Sequence, residues 1–287
     1  MSAVESSACL FPYERYEPRL ADLARRYRAG TPVSHLAFHH FLDPALARAL
    51  ATQFPAHAGE HRVRYRHVNE NKASTDGWED LPPLVAAVVQ ELNSPRFVAF
   101  LRRLTGIPHL MVDPDIEGGG MHQAWAGGFL NVHTDFTVHR RRADWRRRCN
   151  LILYLSDDWD PAWGGSLEFW ANDMSRSVEI LSCALNHAVV FDTPDARHGF
   201  PDPLRCPEGR SRKSLQLYYY TVDRAVVVPR PTTYFARPSD SAWRRLLVGM
   251  DNGLLRRYSA LKRRLGMSDA GVSRLMRWVD RGRSRRG

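Results

Sequence analysis

The chain changes from helical to extended periodicity and back again. Three helices are predicted before residue 105, at 43–54, 82–92 and 94–104, with Asp43 and Ser94 as N-caps and Gly106 ending the third. From about 110 to 228 the pattern becomes a series of short β-rich runs (GGFLNVHTDF, CNLILYLS, GSLEFW, NHAVVFDT and KSLQLYYYTV) separated by Gly, Pro and Asp turns. Short strands at this spacing predict a β-sandwich or a jelly roll.

After Pro229-Arg230-Pro231 the helical pattern returns with dense arginine, from 239 to 281. The sequence therefore predicts two parts: a domain over 1–232, with its β core at about 108–228, and a basic helical tail over 233–287 that ends in a disordered RGRSRRG. Leu, Trp and Met alternate with Arg in 243–278. These apolar residues either pack on the core or form one face of a helix that binds a membrane, a nucleic acid or a partner.

Composition places the chain among ordinary globular proteins. Of its 287 residues, 44% are hydrophobic and 25% are charged, which is too apolar for a disordered chain. No run of about 18 apolar residues predicts a membrane-spanning helix, and the N-terminus lacks a signal-peptide pattern. The four cysteines lack C-x-x-C spacing, which favours reduced thiols and a cytoplasmic location.

The net charge of +10 is carried almost entirely by arginine. Because the guanidinium group matches carboxylate and phosphate, this excess favours an anionic partner or substrate. An arginine-biased composition with no partner explains it equally well. The sequence leaves both explanations open, and it does not define an oligomeric state.

One short motif carries chemistry. His133 and Asp135 form the only H-x-D among twelve histidines, at the end of a predicted strand, where side chains two residues apart share a face. His198 follows a second predicted strand and can reach the same place. Two histidines and one carboxylate form the facial triad of non-haem Fe(II), which leaves coordination positions open for O₂ chemistry. The same donors suit zinc, which is the main alternative metal.

Three other histidines receive simpler interpretations. His139, close to an arginine run, is predicted on an exposed loop. His122 is able to face the pocket but lacks a carboxylate partner at ligand spacing. His187 follows Asn186 in a turn.

A second set of residues suits an organic anion. Iron oxygenases of this type commonly need 2-oxoglutarate, whose far carboxylate is held by a strand-borne arginine. Arg212 and Ser214 share a face at the start of the strand RKSLQLYYY, and Asn150 shares a face with Tyr154 on CNLILYL. Tyr154 is predicted to donate its hydroxyl to the carboxylate. Gln123, ten residues before His133, is predicted near the metal-proximal end.

Together these motifs resemble the 2-oxoglutarate/Fe(II) dioxygenases of the prolyl 4-hydroxylase-like superfamily. The resemblance covers roughly residues 60–225 and rests on HTD, NLILYLSDDW, WGGSLEFW, VVFDT, RHGFPDP and RKSLQLYYYT. It implies an α+β, mainly β fold: a double-stranded β-helix (jelly-roll) core with flanking helices. It also implies Fe(II) ligation at positions matching His133, Asp135 and His198, 2-oxoglutarate binding at the position matching Arg212, and ascorbate as a candidate reductant. The chain departs from the pattern at Gln123, where animal-type members have tyrosine, and in a longer His198–Arg212 spacing.

The resemblance implies hydroxylation of an unactivated C–H bond, with release of succinate and CO₂. The retained Asp135 favours hydroxylation over halogenation, in which that ligand position is free. The expected substrate is a small molecule or a peptidyl residue, such as proline, an amino acid, or a sugar or natural-product unit. Nucleic-acid demethylases with this chemistry carry a second arginine six positions after the first, where this chain has Tyr218. A basic binding module that uses the tail is the remaining alternative.

Overall fold

The computed structural model describes residues 9–57, 60–61, 63–75, 77–223 and 229–265, with side chains described as far as residue 254. The helices are α1 Tyr13–Tyr16, α2 Leu20–Ala29, α3 Pro44–Ala51, α4 Pro83–Leu92, α5 Pro95–Thr105 and α6 Ala242–Leu265. The strands are β1 His35–Phe38, β2 Val63–His67, β3 Glu70–Ser74, β4 Met111–Val112, β5 Gly120–Ala124, β6 Phe129–Thr134, β7 Trp145–Tyr154, β8 Leu167–Trp170, β9 Ser177–Leu181, β10 Ala188–Asp192, β11 His198–Phe200, β12 Arg212–Val222 and β13 Thr233–Tyr234.

The strands form one antiparallel sheet that curls into a nearly closed jelly roll. Its order is β1-β10-β7-β12-β5-β3-β6-β11-β8-β9, with β2, β4 and β13 as side branches. The short β3 joins the two halves, because it pairs with β5 at Ala73 and Ser74 and with β6 at Glu70 and Asn71. The predicted jelly-roll fold is confirmed.

The two faces of the central strands have different roles. On β7 and β12, Leu151, Leu153, Leu215 and Leu217 turn outward into a core shared with α4 and α5. Each fully buried leucine contributes roughly 1.5–3 kcal/mol. The alternate positions of β7 and β12 therefore line the interior of the jelly roll. Buried polar side chains, among them Asn150, Arg212 and Ser214, lie there.

Caps confirm the predicted helix starts at Asp43 and Ser94 and the predicted end at Gly106, whereas the first helix ends at Ala51 and not at Phe54. Asp43 Oδ1 accepts a hydrogen bond from the Ala45 amide at 2.8 Å, and Ser94 Oγ accepts one from the Phe97 amide at 3.2 Å. Gly106 ends α5 in the left-handed region with φ of 74°, a conformation that costs glycine little. The caps at Ser94 and Gly106 therefore set the two ends of α5, whose apolar face packs on the sheet.

The first part of the tail lies against the jelly roll. Strand β13 pairs with the end of β6, so that Tyr234 is opposite His133. Asn252 of α6 accepts from the Tyr234 amide at 2.9 Å and donates to the Tyr234 carbonyl at 2.8 Å, as a neighbouring strand would. The boundary predicted at 232/233 stays a prediction. The disordered end predicted at 281–287 lies outside the described residues, as does all of 266–287.

Within the described part of the chain, no single helix is long and apolar enough to cross a membrane. The pair α4 and α5, bent by 52° at its break, meets the length and composition requirement only when the two helices are taken together.

Candidate metal centre

Three predicted ligands meet at one end of the jelly roll. His133 near the end of β6 and His198 at the start of β11 are cross-strand partners, with ring centroids 4.4 Å apart. Asp135 lies two residues beyond His133. Its Oδ1 is 3.6 Å from His133 Nε2 and its Oδ2 is 3.7 Å from His198 Nε2. All three donor atoms lie within 4.8 Å of one another, close enough to bind a single ion.

The backbone fixes which nitrogen of each histidine is free. His133 Nδ1 is 2.9 Å from the Asn131 carbonyl, and His198 Nδ1 is 3.0 Å from the Ala196 carbonyl. A carbonyl only accepts hydrogen bonds, so each Nδ1 carries the proton and donates it. Each Nε2 is left with a lone pair on the side of Asp135, which is the arrangement that metal-ligating histidines adopt.

The protonation states also suit a divalent cation. Burial, together with the charge of His133, lowers the pKa of His198 to about 4, so its ring is neutral near pH 7. Burial alone would raise the pKa of Asp135, but the Arg147 guanidinium and the two histidines hold that pKa well below its ordinary value. The neutral His198 imidazole and the Asp135 carboxylate therefore face each other, with His133 Nε2 beside them. This donor set fits Fe(II), with three coordination positions left open.

A buried arginine and an amide orient the carboxylate ligand. Arg147 Nη2 lies 2.9 Å from Asp135 Oδ2, and the Asn150 side chain donates to the same oxygen at 2.8 Å. Arg147 Nε in turn donates to Asn150 Oδ1 at 2.9 Å. The guanidinium lies 3.5 Å over the Tyr218 ring. Asn150 was predicted beside the co-substrate, and its side chain contacts Asp135 and Arg147.

Replacing Arg147 with alanine is expected to weaken metal binding by about 10- to 100-fold, the usual cost of losing a partner behind a ligand. Asp135 would then be buried with only Asn150 to hold it. Titration with Co(II), followed by absorbance, measures the affinity. Arg148→Ala is the matched control, because this half-buried neighbour lies at a register shift of β7 and has no contact with Asp135. Equal Co(II) affinity in both variants would remove Arg147 from this role.

A second group of predicted residues forms a cationic recess in the same interior. Arg212 is 4% exposed, and its Nε donates to the Gly165 carbonyl at 2.6 Å. Its guanidinium lies 4.1 Å over the Phe200 ring and 4.9 Å over the Tyr154 ring. Among the described residues no carboxylate pairs with Arg212, and the buried Tyr154 hydroxyl has no hydrogen-bond partner. A buried cation beside an unsatisfied hydroxyl is suited to an organic carboxylate.

The strand register decides which other predicted residues share this recess. Ser214 is fully buried and pairs with Tyr154 on one side and His122 on the other, so it lies on the interior wall. Gln123 is opposite Lys213 on the other face. Its side chain donates to Ser211 Oγ at 2.7 Å, and the structure does not bring it to the metal or to Arg212. His122 takes the interior position, with Nε2 3.2 Å from the Gly118 carbonyl and a buried, unpartnered Nδ1.

The prediction that His139 lies on an exposed loop is wrong. Its side chain is buried, with Nε2 3.2 Å from Asp113 Oδ2, and its Nδ1 accepts from the Arg141 and Arg142 amides at 3.1 and 3.2 Å. Histidine both caps and anchors the turn here, because an acidic segment 113–117 packs against the arginine run. The burial of His139 could have been predicted only from the pair Asp113 and Asp115, which lies far from His139 in sequence.

One residue beside the metal ligands was missed altogether. The Tyr234 ring packs 5.7 Å from the His133 ring, and its hydroxyl donates to Glu70 Oε1 at 3.0 Å. Glu70 is buried and also meets His67 at 2.8 Å and Lys72 at 3.3 Å. Nothing in the local sequence TTYF predicts that Tyr234 lies beside His133. Its position depends on the two hydrogen bonds that Asn252, 18 residues later, makes with its backbone.

Comparison with known proteins finds one family and several similar solved structures. Residues 119–220 match the 2OG-Fe(II) oxygenase superfamily, while a comparison with curated proteins finds no match. Among solved structures, the chain is similar to a prolyl-4-hydroxylase from Pseudomonas putida (23% identity, 71% of this chain and 100% of that chain, TM-score 0.49). It is also similar to a prolyl hydroxylase from Trichoplax adhaerens in complex with a peptide fragment (16%, 72% and 91%, 0.48) and to prolyl 4-hydroxylases from Phytophthora capsici (15%, 88% and 77%, 0.48). The family match confirms the predicted resemblance, and the superfamily uses Fe(II) and 2-oxoglutarate.

Proposed function

We propose that this chain, whose residues 119–220 match the 2OG-Fe(II) oxygenase superfamily, hydroxylates an unactivated C–H bond of a small-molecule or peptidyl substrate. Fe(II) and 2-oxoglutarate together supply the activation of O₂, with succinate and CO₂ as co-products. The observation that carries the proposal is the buried Arg212, which faces no carboxylate among the described residues and lies in the same interior as the His133, Asp135 and His198 cluster.

Arg212 and Tyr154 are proposed to hold the far carboxylate of 2-oxoglutarate. Since Arg212 Nε is already bonded to Gly165, its terminal nitrogens remain for the ligand. Burial raises the pKa of Tyr154 to about 12, although Arg212 opposes the shift, so the hydroxyl stays protonated and donates. Ser214 offers a further hydroxyl on the same wall. Charge-assisted hydrogen bonds of this kind are about twice as strong as neutral ones.

His133, Asp135 and His198 are proposed as the metal ligands, with Arg147 and Asn150 holding the carboxylate in place. Aromatic side chains exclude water behind them, since the Phe191 ring is 4.8 Å and the Phe169 ring 6.3 Å from the His198 ring. A carboxylate at position 135 occupies a site that a halide would need, so hydroxylation is favoured over halogenation.

The arginine-rich segment 140–148 would favour a nucleic-acid demethylase, but two of its arginines are paired within the fold. Arg142 is paired with Asp113 at 3.2 Å and Asp115 at 2.9 Å, and Arg147 with Asp135. Tyr218, at the position of the second arginine of such demethylases, donates its hydroxyl to the Gly118 carbonyl at 2.8 Å. Arg142 and Arg147 are thus occupied by carboxylates and Tyr218 by a carbonyl, which favours a small-molecule or peptidyl substrate over a nucleic acid.

The deciding experiment is 2-oxoglutarate turnover. Protein loaded with Fe(II) under anaerobic conditions and then exposed to O₂ is expected to form succinate slowly alone and faster with the correct substrate. The screen covers proline-containing peptides, free amino acids and sugars, including anionic ones. No succinate under any of these conditions, from protein that has bound Fe(II), would contradict an oxygenase.

Gly165→Ala is expected to raise the KM for 2-oxoglutarate by about tenfold, the effect of a 1.4 kcal/mol loss of binding. An added Cβ would lie 3.0 Å from Arg212 Cδ and 2.8 Å from Leu204 Cδ2, and would push the guanidinium aside. Gly164→Ala is a matched control: its φ of +80° is nearly that of Gly165 at +84°, yet its Cβ would meet nothing within 4 Å. A KM that changes equally in both variants would show that only backbone strain matters.

We also propose that the protein works in a reducing compartment, the cytoplasm. The four cysteines are free thiols, with Cys149, Cys183 and Cys206 buried and Cys9 exposed. Free thiols persist where glutathione and thioredoxin are reducing, and such a compartment also keeps iron as Fe(II).

A further inference from the structure

The exposed apolar side chains of the described residues are concentrated on one helix. Six large apolar side chains are exposed, and four of them lie on α6: Trp243 (66%), Leu246 (52%), Met250 (57%) and Leu254 (62%). Spacings of three and four residues place these four on one side of the helix, over a length of about 16 Å. We call them the α6 stripe.

The helix is held to the jelly roll by its polar side. Asp251 accepts from the Asn69 amide group at 2.5 Å, and Arg244 donates to Asn131 Oδ1 at 3.1 Å. Val248 is the buried apolar residue of this face. A surface helix normally does the opposite, turning apolar residues inward and polar ones outward. The α6 stripe is therefore left facing outward because the fold uses the other side of α6 for attachment.

The charge beside the stripe has one sign. From 241 to 265 the only acidic residue is Asp251, which is turned toward His67 and Asn69. Arg245 is exposed next to the stripe, and the sequence of the second half of α6, 255–265, has five basic residues and no acidic one. A second copy of the chain would bring the same positive helix against it. Charge complementarity thus favours an anionic surface over self-association.

We infer that α6 docks the protein on an anionic lipid bilayer, with the α6 stripe inserted at the headgroup boundary and the arginines among the phosphates. A helix with an apolar stripe, a tryptophan and basic flanks lies in the plane of such an interface. Each basic residue near an anionic surface adds to the attraction, and salt weakens it. The inference is independent of the iron chemistry, because none of these side chains belongs to the metal cluster.

Sedimentation with vesicles tests this directly, using the full chain. Binding is expected to vesicles of phosphatidylcholine mixed with phosphatidylglycerol, to be weak for pure phosphatidylcholine, and to fall as NaCl rises. Leu254→Asp is expected to weaken binding to the mixed vesicles by about tenfold or more. Ile180→Asp is the matched control, because Ile180 is 63% exposed on strand β9, away from α6, and its replacement is expected to leave binding unchanged.

Circular dichroism and the melting temperature confirm that both variants are folded. Two outcomes would overturn the inference. One is that the wild-type protein does not sediment with the mixed vesicles. If ultracentrifugation then shows a dimer that Leu254→Asp dissociates, the α6 stripe binds a second copy of the chain instead. The other is that Leu254→Asp and Ile180→Asp bind the vesicles equally well.

Discussion

Replacing His198 with alanine is expected to abolish tight metal binding and succinate formation together. Among the described residues no substitute ligand is in place, since apart from His133 and Asp135 the side chains packed against the His198 ring are Phe191 and Phe169. Two donors, His133 and Asp135, would remain. Loss of a hydrogen-bond partner of a ligand weakens metal binding by up to about 100-fold. Loss of a ligand itself is expected to cost more, so we expect the affinity for Fe(II) or Co(II) to fall by more than about 100-fold.

A matched control separates loss of a ligand from loss of a buried ring. His35 is buried to the same degree as His198 and lies on β1, where its Nε2 is 2.7 Å from Glu179. His35→Ala is therefore expected to lower the melting temperature while Co(II) affinity stays within a few-fold of the wild type. If His198→Ala retained wild-type Co(II) affinity and turnover, the metal centre would lie elsewhere and the proposed chemistry would fail with it.

The parts of the site that follow strict alternation were predictable from sequence. His133 and Asp135 share a face because they are two residues apart, and the same rule put Asn150 with Tyr154 and Arg212 with Ser214. What alternation does not give is the pairing between strands. Gln123 and His122 are adjacent in sequence, and only the register of β5 against β12, which sets Ser214 opposite His122, decides that the histidine faces inward.

Arg147 shows a second limit. It is three residues from Asn150, so in a regular strand the two side chains would point to opposite faces. The register of β7 against β12 shifts here, with Tyr219 opposite Cys149 and Tyr220 opposite Arg147. The extra residue re-aims the arginine toward Asp135, as bulges near functional sites do. In the sequence the residue is one of many arginines, and nothing local distinguishes it from Arg148.

Replacing Arg212 with alanine is expected to raise the KM for 2-oxoglutarate by two to three orders of magnitude, since breaking a buried charge pair costs about 3–5 kcal/mol. Removing a buried side chain usually lowers the melting temperature, but for Arg212 in the ligand-free protein we expect no decrease. Arg212 is buried and faces no carboxylate among the described residues, so its removal relieves a desolvation cost. We therefore expect a melting temperature equal to or above that of the wild type, and loss of the stabilisation that added 2-oxoglutarate gives.

Two further variants make this prediction specific to the guanidinium. Arg210→Ala removes an arginine two residues away that is 39% exposed at its side chain and lies 3.6 Å from Asp157, and it is expected to leave the KM unchanged. Arg212→Lys keeps the charge but lacks the planar fork, so it is expected to recover part of the affinity. An Arg212→Ala protein that is still stabilised by 2-oxoglutarate would mean that another cation, such as Lys213 across the strand, holds the carboxylate. Lys213 is 2.8 Å from Asp157 and 3.1 Å from the Ala51 carbonyl, on the face of β12 opposite Arg212. For Lys213 to bind the carboxylate in place of Arg212, its side chain would have to turn to the interior face of β12.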